Sequence, residues 1–158
     1  MFKLLVLVAF VPAIFGRTPI RQCAGGLPLP VAAFMDSRES PCLAEPCGVS
    51  RSRGFAVTYV DFKPVVNTQG IMPRIRASVF NGAVTITQEL PQEIANNPCG
   101  ILESPHRCPL TANQQVSYRL QLPVDPTTPL IDTATEVTLF GDNNQVIFCY
   151  RLDTRVVV

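Results

Sequence analysis

The six cysteines of this chain, at positions 23, 42, 47, 99, 108 and 149, constrain its fold more than any other feature. An even cysteine count in a chain that enters an oxidising compartment reads as three disulfides. The beginning of the chain points to such a compartment. In residues 1–16, MFKLLVLVAFVPAIFG, Lys3 precedes an apolar run from Leu4 to Phe15 that closes on Gly16. This is the layout of a secretory signal peptide, and the run falls short of the ~20 apolar residues that span a bilayer. Residues 17–158 are then expected to form one domain, long enough to bury a core. The expected location is extracellular, with a luminal compartment as the other destination.

Six cysteines allow fifteen connectivities. Cys42 and Cys47 bracket LAEP, and Cys99 and Cys108 bracket GILESPHR, both short and rich in turn formers. Locality favours these two pairs and leaves Cys23 for Cys149, while other pairings stay open. The segment NPCGILESPHRCPL, residues 97–110, also contains the chain's one histidine, His106. A zinc site needs four ligands, with cysteines spaced two to four apart; His106 two residues before Cys108, with no second histidine, offers poor geometry. A nucleophilic cysteine needs a free thiol and a partner base, and an oxidising lumen removes the thiol. The segment is read as a disulfide-closed, proline-stiffened loop with His106 at its tip, so no cofactor or metal is expected.

Charge narrows the functional classes. Lys3 leaves with the leader, so the 13 basic residues become 12, balanced by 12 acidic ones. A neutral domain has no electrostatic basis for binding nucleic acid. No Ser-His-Asp set, scaffolded carboxylate pair or metal cluster stands out, so the chain is not expected to be an enzyme.

Helix signals are nearly absent, and period-two alternation recurs between prolines. In QVSYRLQLPV, Val116, Tyr118, Leu120, Leu122 and Val124 share one face against Ser117, Arg119 and Gln121. In RIRASVF, Ile75, Ala77 and Val79 oppose Arg74, Arg76 and Ser78. After the hairpin signal Asn81-Gly82, AVTITQ sets Val84 and Ile86 opposite Thr85 and Thr87. TATEVTLF and QVIFCYRL, joined by Gly-Asp-Asn-Asn, read as another hairpin. Strands over 31–36, 54–62, 74–80, 83–90, 115–124, 133–140 and 145–157 make about seven, the range of an all-β sandwich. Two such sheets pack about 10 Å apart with apolar faces inward. Alternation reads the same for a filled core as for a pocket.

The cysteine framework moves that balance. A cysteine near the mature N-terminus is followed by SPCLAEPCGVSRSRGFAVTYVDF, NNPCGILESPHRCPL, SYRLQLPV and QVIFCYRL. Together these resemble the Niemann-Pick type C2 protein family, one of the MD-2-related lipid-recognition (ML) domains, over residues 20–158. The resemblance implies an immunoglobulin-like β-sandwich with a hydrophobic pocket between its two sheets, and the pairings Cys23–Cys149, Cys42–Cys47 and Cys99–Cys108. It implies a non-enzymatic, monomeric carrier of a sterol or other hydrophobic lipid, with a membrane or membrane protein as acceptor. A carrier of fatty acids or semiochemicals and a lipid-sensing immune module are the alternatives. Pocket residues carried over are Tyr118, Leu122, Pro123 and Val124, with Val116 and Leu120 on the same face and Val84 and Ile86 on the opposite wall. Thr128 and Val137 fall where sterol-carrying relatives place aromatics near the mouth.

Overall fold

A computed structural model describes residues 16–158; residues 1–15 lie outside it, and with them nearly all of the expected leader. The nine strands are β1 (Arg21–Gln22), β2 (Ala32–Met35), β3 (Cys47–Ser50), β4 (Phe55–Phe62), β5 (Met72–Val79), β6 (Val84–Gln88), β7 (Val116–Pro123), β8 (Asp132–Phe140) and β9 (Val146–Val157). One short helix, α1 (Gln92–Asn96), follows β6. The smaller sheet runs β2-β4-β7. The larger runs β1-β9-β8-β5-β6, with β3 also paired to β9 in parallel. All seven strands expected from alternation are present. The two additional ones, β1 and β3, are short segments laid along β9.

The turns follow from residues that tolerate a left-handed backbone. The β5–β6 connection places Phe80, Asn81 and Gly82 at φ 52°, 55° and 89° in succession, where Asn and Gly are far less penalised than bulkier residues. Asn143 and Asn144 do the same between β8 and β9, at φ 54° and 58°. There the Asp142 carboxylate accepts the backbone N–H groups of Gln69 and Gly70, at 2.7 and 3.3 Å, tying the hairpin to the loop before β5.

The disulfides join Cys23 to Cys149, Cys42 to Cys47 and Cys99 to Cys108. The first fastens the N-terminal segment across the outer side of β9, where the Cys149 N–H also donates to the Pro28 carbonyl. The second closes the loop that delivers β3. The third closes the loop between β6 and β7, which inserts Ile101 into the core beside Ile94 of α1; His106 in that loop is half-buried rather than at an exposed tip. Arg38 holds the same loop to the small sheet, donating to both Asp61 carboxylate oxygens (3.1 and 2.9 Å) and to Glu103 (2.7 Å).

Between the sheets, pairing register stacks the inward side chains in layers. At one end Phe62 and Val116 face Leu139 and Phe148; the next layer sets Val60 and Tyr118 against Val137, Tyr150 and Ile75. These residues are all buried. Phe148 lies with ring centroids 5.3 Å from Phe62 and 6.0 Å from both Tyr118 and Tyr150, contacts worth about 0.5–1.5 kcal/mol each beyond simple burial. This end of the sandwich is packed solid.

Candidate ligand-binding cavity

Moving along the strands from the aromatic layers, the inward side chains shrink. On β4 the series Phe62, Val60 continues to Thr58 and Ala56; on β8 Leu139, Val137 continues to Thr135 and Thr133; on β5 Ile75 gives way to Ala77. The packed end keeps the two sheets from collapsing onto each other, so smaller side chains leave space between them. That space is a cavity of about 340 Å³, at the lower end of the range for small-molecule sites.

Its small-sheet wall is Met35, Ala56, Thr58, Leu120 and Leu122, and its large-sheet wall is Ile75, Ala77, Val137, Leu152 and Thr135. Val49, Val156, Pro123, Val124 and Thr128 line the outer part, with Gln88 and Asp125 as polar groups. Pro123 and Asp125 are solvent-exposed. Hydrogen bonds from the Thr127 hydroxyl and N–H hold the Asp125 carboxyl below the ordinary carboxylate range, so it is negative at neutral and mildly acidic pH. Among the described residues no Lys or Arg lines the cavity; Arg51 donates to the carbonyl of the lining residue Thr128 at 3.2 Å. Two wider clefts lie on the outer surface: one mixes polar residues such as Glu93, Asn97 and Arg119 with Phe55, Ile94 and Pro123, and the other is lined mainly by polar and charged residues, including Glu45, Asp132 and Arg155.

The structure distributes the sequence-derived pocket residues over three places. Leu120, Leu122, Pro123 and Val124 line the cavity. Val116 and Tyr118 point the same way from β7 but lie in the packed aromatic end, fully buried and outside the cavity wall. Val84 and Ile86 are corrected. Register places them opposite Val79 and Ala77, on the inward face as alternation requires. They are nevertheless 45% and 57% exposed, because β6 is the edge of the wider sheet and the three-stranded sheet does not cover it. From β6 only Gln88 reaches the cavity.

The hydroxyls of Tyr118 and Tyr150 are buried near each other, with Thr58 also near that of Tyr150, but none of these approaches meets hydrogen-bonding geometry. Burial pushes both phenols up, Tyr118 well above its ordinary value, so both remain neutral. Residues that alternation did not single out supply much of the wall: Ala56, Thr58, Thr133, Thr135 and Thr154. The signal that locates them is the decline in inward side-chain size along β4 and β8.

Fold and cavity together define a disulfide-fastened β-sandwich, packed at one end and parted at the other around a largely apolar cavity. The chain belongs to the ML domain family, whose family model matches residues 18–156. It is similar to proteins named NPC intracellular cholesterol transporter 2: 26% identical to that of Canis lupus familiaris over 141 residues, covering 89% of this chain and 86% of the relative. To that of Sus scrofa it is 26% identical over 136 residues, covering 86% of this chain and 83% of the relative. The fold matches the crystal structure of a Niemann-Pick type C2 protein from Japanese carpenter ant, with a TM-score of 0.70 at 16% identity, covering 89% of this chain and all of that one. The lipid-recognition character of the domain holds at the level of the family.

Proposed function

We propose that this chain is a non-enzymatic lipid carrier that holds one sterol-sized molecule between its sheets and releases it to a membrane or a membrane protein. The observation that carries this reading is the apolar cavity at the small-residue end of the sandwich. Capture needs little directional bonding. Each buried methylene contributes about 0.8 kcal/mol, so a ligand burying on the order of twenty carbons gains roughly 16 kcal/mol. That offsets the ~4–15 kcal/mol association cost. Leu120, Leu122, Pro123 and Val124 form one contact surface for the ligand, and Ile75, Val137 and Leu152 the other. The three disulfides suit an extracellular or lysosomal setting, and residues 17–158 act as a single monomeric domain.

The test is transfer of a fluorescent sterol from donor to acceptor vesicles. The wild-type chain accelerates transfer, and Leu122→Asp abolishes it while retaining the disulfide-bonded fold by circular dichroism. Equal transfer by a folded Leu122→Asp protein removes this wall from the site. No acceleration of sterol transfer, with a fluorescent fatty acid transferred in its place, reassigns the cargo to fatty acid.

A further inference from the structure

Three threonines on the large-sheet wall form a connected hydroxyl cluster in a cavity whose other polar lining is Thr58, Gln88, Asp125 and Thr128. Thr133 and Thr154 are register partners on β8 and β9, and Thr135 is the next inward residue of β8. The Thr154 Oγ1 lies 2.5 Å from that of Thr133 and 3.2 Å from that of Thr135, with the Thr133 carbonyl at 3.5 Å. All three line the cavity; Thr154 is 5% exposed, while Thr133 and Thr135 are half-buried and Thr133 also borders an outer cleft. Cross-strand threonine pairs also stabilise sheets, but valine would serve a purely apolar wall without bringing hydroxyls into it.

Counting hydrogen-bond capacity shows what the cluster offers. Each hydroxyl has one proton and two lone pairs. If Thr154 donates to the Thr133 carbonyl, Thr133 and Thr135 both donate to Thr154 and keep their own lone pairs for a ligand. If Thr154 instead donates to Thr133, the Thr133 proton turns toward the cavity. The cluster therefore accepts from, or donates to, a neutral oxygen. It has no counter-charge for an anion: no Lys or Arg among the described residues lines the cavity, Arg51 is engaged with the Thr128 carbonyl outside the wall, and Asp125 places a negative charge at the mouth.

We propose that Thr133, Thr135 and Thr154 form a hydroxyl subsite that selects neutral, singly oxygenated lipids, alcohols above all, over the carboxylate and the hydrocarbon of the same skeleton. The proposal rests on the carrier reading above. An ionised carboxylate at this depth loses its hydration without gaining a cation, and at the mouth it meets Asp125. A hydrocarbon leaves the hydroxyls with only one another. One neutral hydrogen bond gained corresponds to a preference of about 5–10-fold.

The experiment is displacement of N-phenyl-1-naphthylamine from the delipidated full-length secreted protein by hexadecan-1-ol, hexadecanoate and hexadecane. Wild type binds the alcohol about 5–10-fold more tightly than either competitor. Thr154→Val, which keeps shape and loses the hydroxyl, brings the alcohol down to the hydrocarbon, while Thr154→Ser retains the preference. Equal affinities for alcohol and hydrocarbon in wild type, or an undiminished alcohol preference in a folded Thr154→Val, overturn the subsite. Tighter binding of hexadecanoate overturns it as well. If neither probe nor any ligand binds, the carrier reading itself falls, and the subsite with it.

Discussion

Replacing Ala77 by Leu should make the lipid-free protein more stable and a worse carrier at the same time. Ala77 lies on β5 beside Thr135 of β8 and lines the cavity in the layer of Thr58, Leu120 and Leu152. Leucine adds three carbons there. At about 0.8 kcal/mol per buried carbon the added burial is worth ~2.4 kcal/mol. Ordering the leucine side chain takes back about 0.5–1 kcal/mol. The net gain is about 1.5 kcal/mol, or roughly 3–6 °C in Tm for a domain of this size. The assay is urea unfolding of delipidated protein with its disulfides intact, followed by sterol titration of the same preparation. Stability rises and sterol affinity falls. In a fully packed core the same substitution overpacks and destabilises by about 1–3 kcal/mol. A drop in urea midpoint with unchanged sterol affinity would refute the assignment of this region as the ligand space.

Three further outcomes follow from other parts of the structure. Tyr150→Phe removes a buried hydroxyl that lacks a partner in hydrogen-bonding geometry; unfolding free energy should be unchanged or raised by up to ~1 kcal/mol, and a loss beyond ~1 kcal/mol would mean that the hydroxyl is engaged. For Asp61, burial alone would raise the carboxyl, but hydrogen bonds from Arg38 and Ser117 and the Arg38 charge outweigh it and hold it below the ordinary range. A depressed carboxyl stabilises the fold above its unfolded pKa and loses that contribution as pH falls through the folded value. Arg38→Gln should therefore cost about 1 kcal/mol at pH 7, by urea unfolding, and the gap to wild type should narrow below about pH 4. Replacing both Cys23 and Cys149 by Ser opens a cross-link with a sequence separation of 126, and thermal melts should report a loss of about 4–5 kcal/mol in the chain-entropy account.

Strands such as β5 and β7 were legible in the sequence because each buries one face, and burial of one face imposes period two, whereas β2 is buried on both faces and shows no alternation. The short strands β1 and β3 were not, since two and four residues are too few to show a period, and their places along β9 depend on Cys23–Cys149 and Cys42–Cys47. Val84 and Ile86 mark a different limit. Alternation assigns their face, but whether a second sheet covers that face depends on the relative widths of two sheets, a property of the assembled fold. Val116 and Tyr118 mark another: position along a strand decides between packed core and cavity, and only the size gradient from Phe62 to Ala56 and from Leu139 to Thr133 carries that information. Leu120 through Val124 fall on the small-residue side of that gradient.

The central claim is that one lipid resides between the sheets at the small-residue end. Native mass spectrometry of the delipidated secreted protein incubated with cholesterol tests it most directly. The account predicts a single adduct of one sterol per chain in wild type that is lost in folded Leu122→Asp and diminished in Ala77→Leu. A sterol adduct that persists undiminished in both variants, or no adduct of any lipid in wild type, would contradict it.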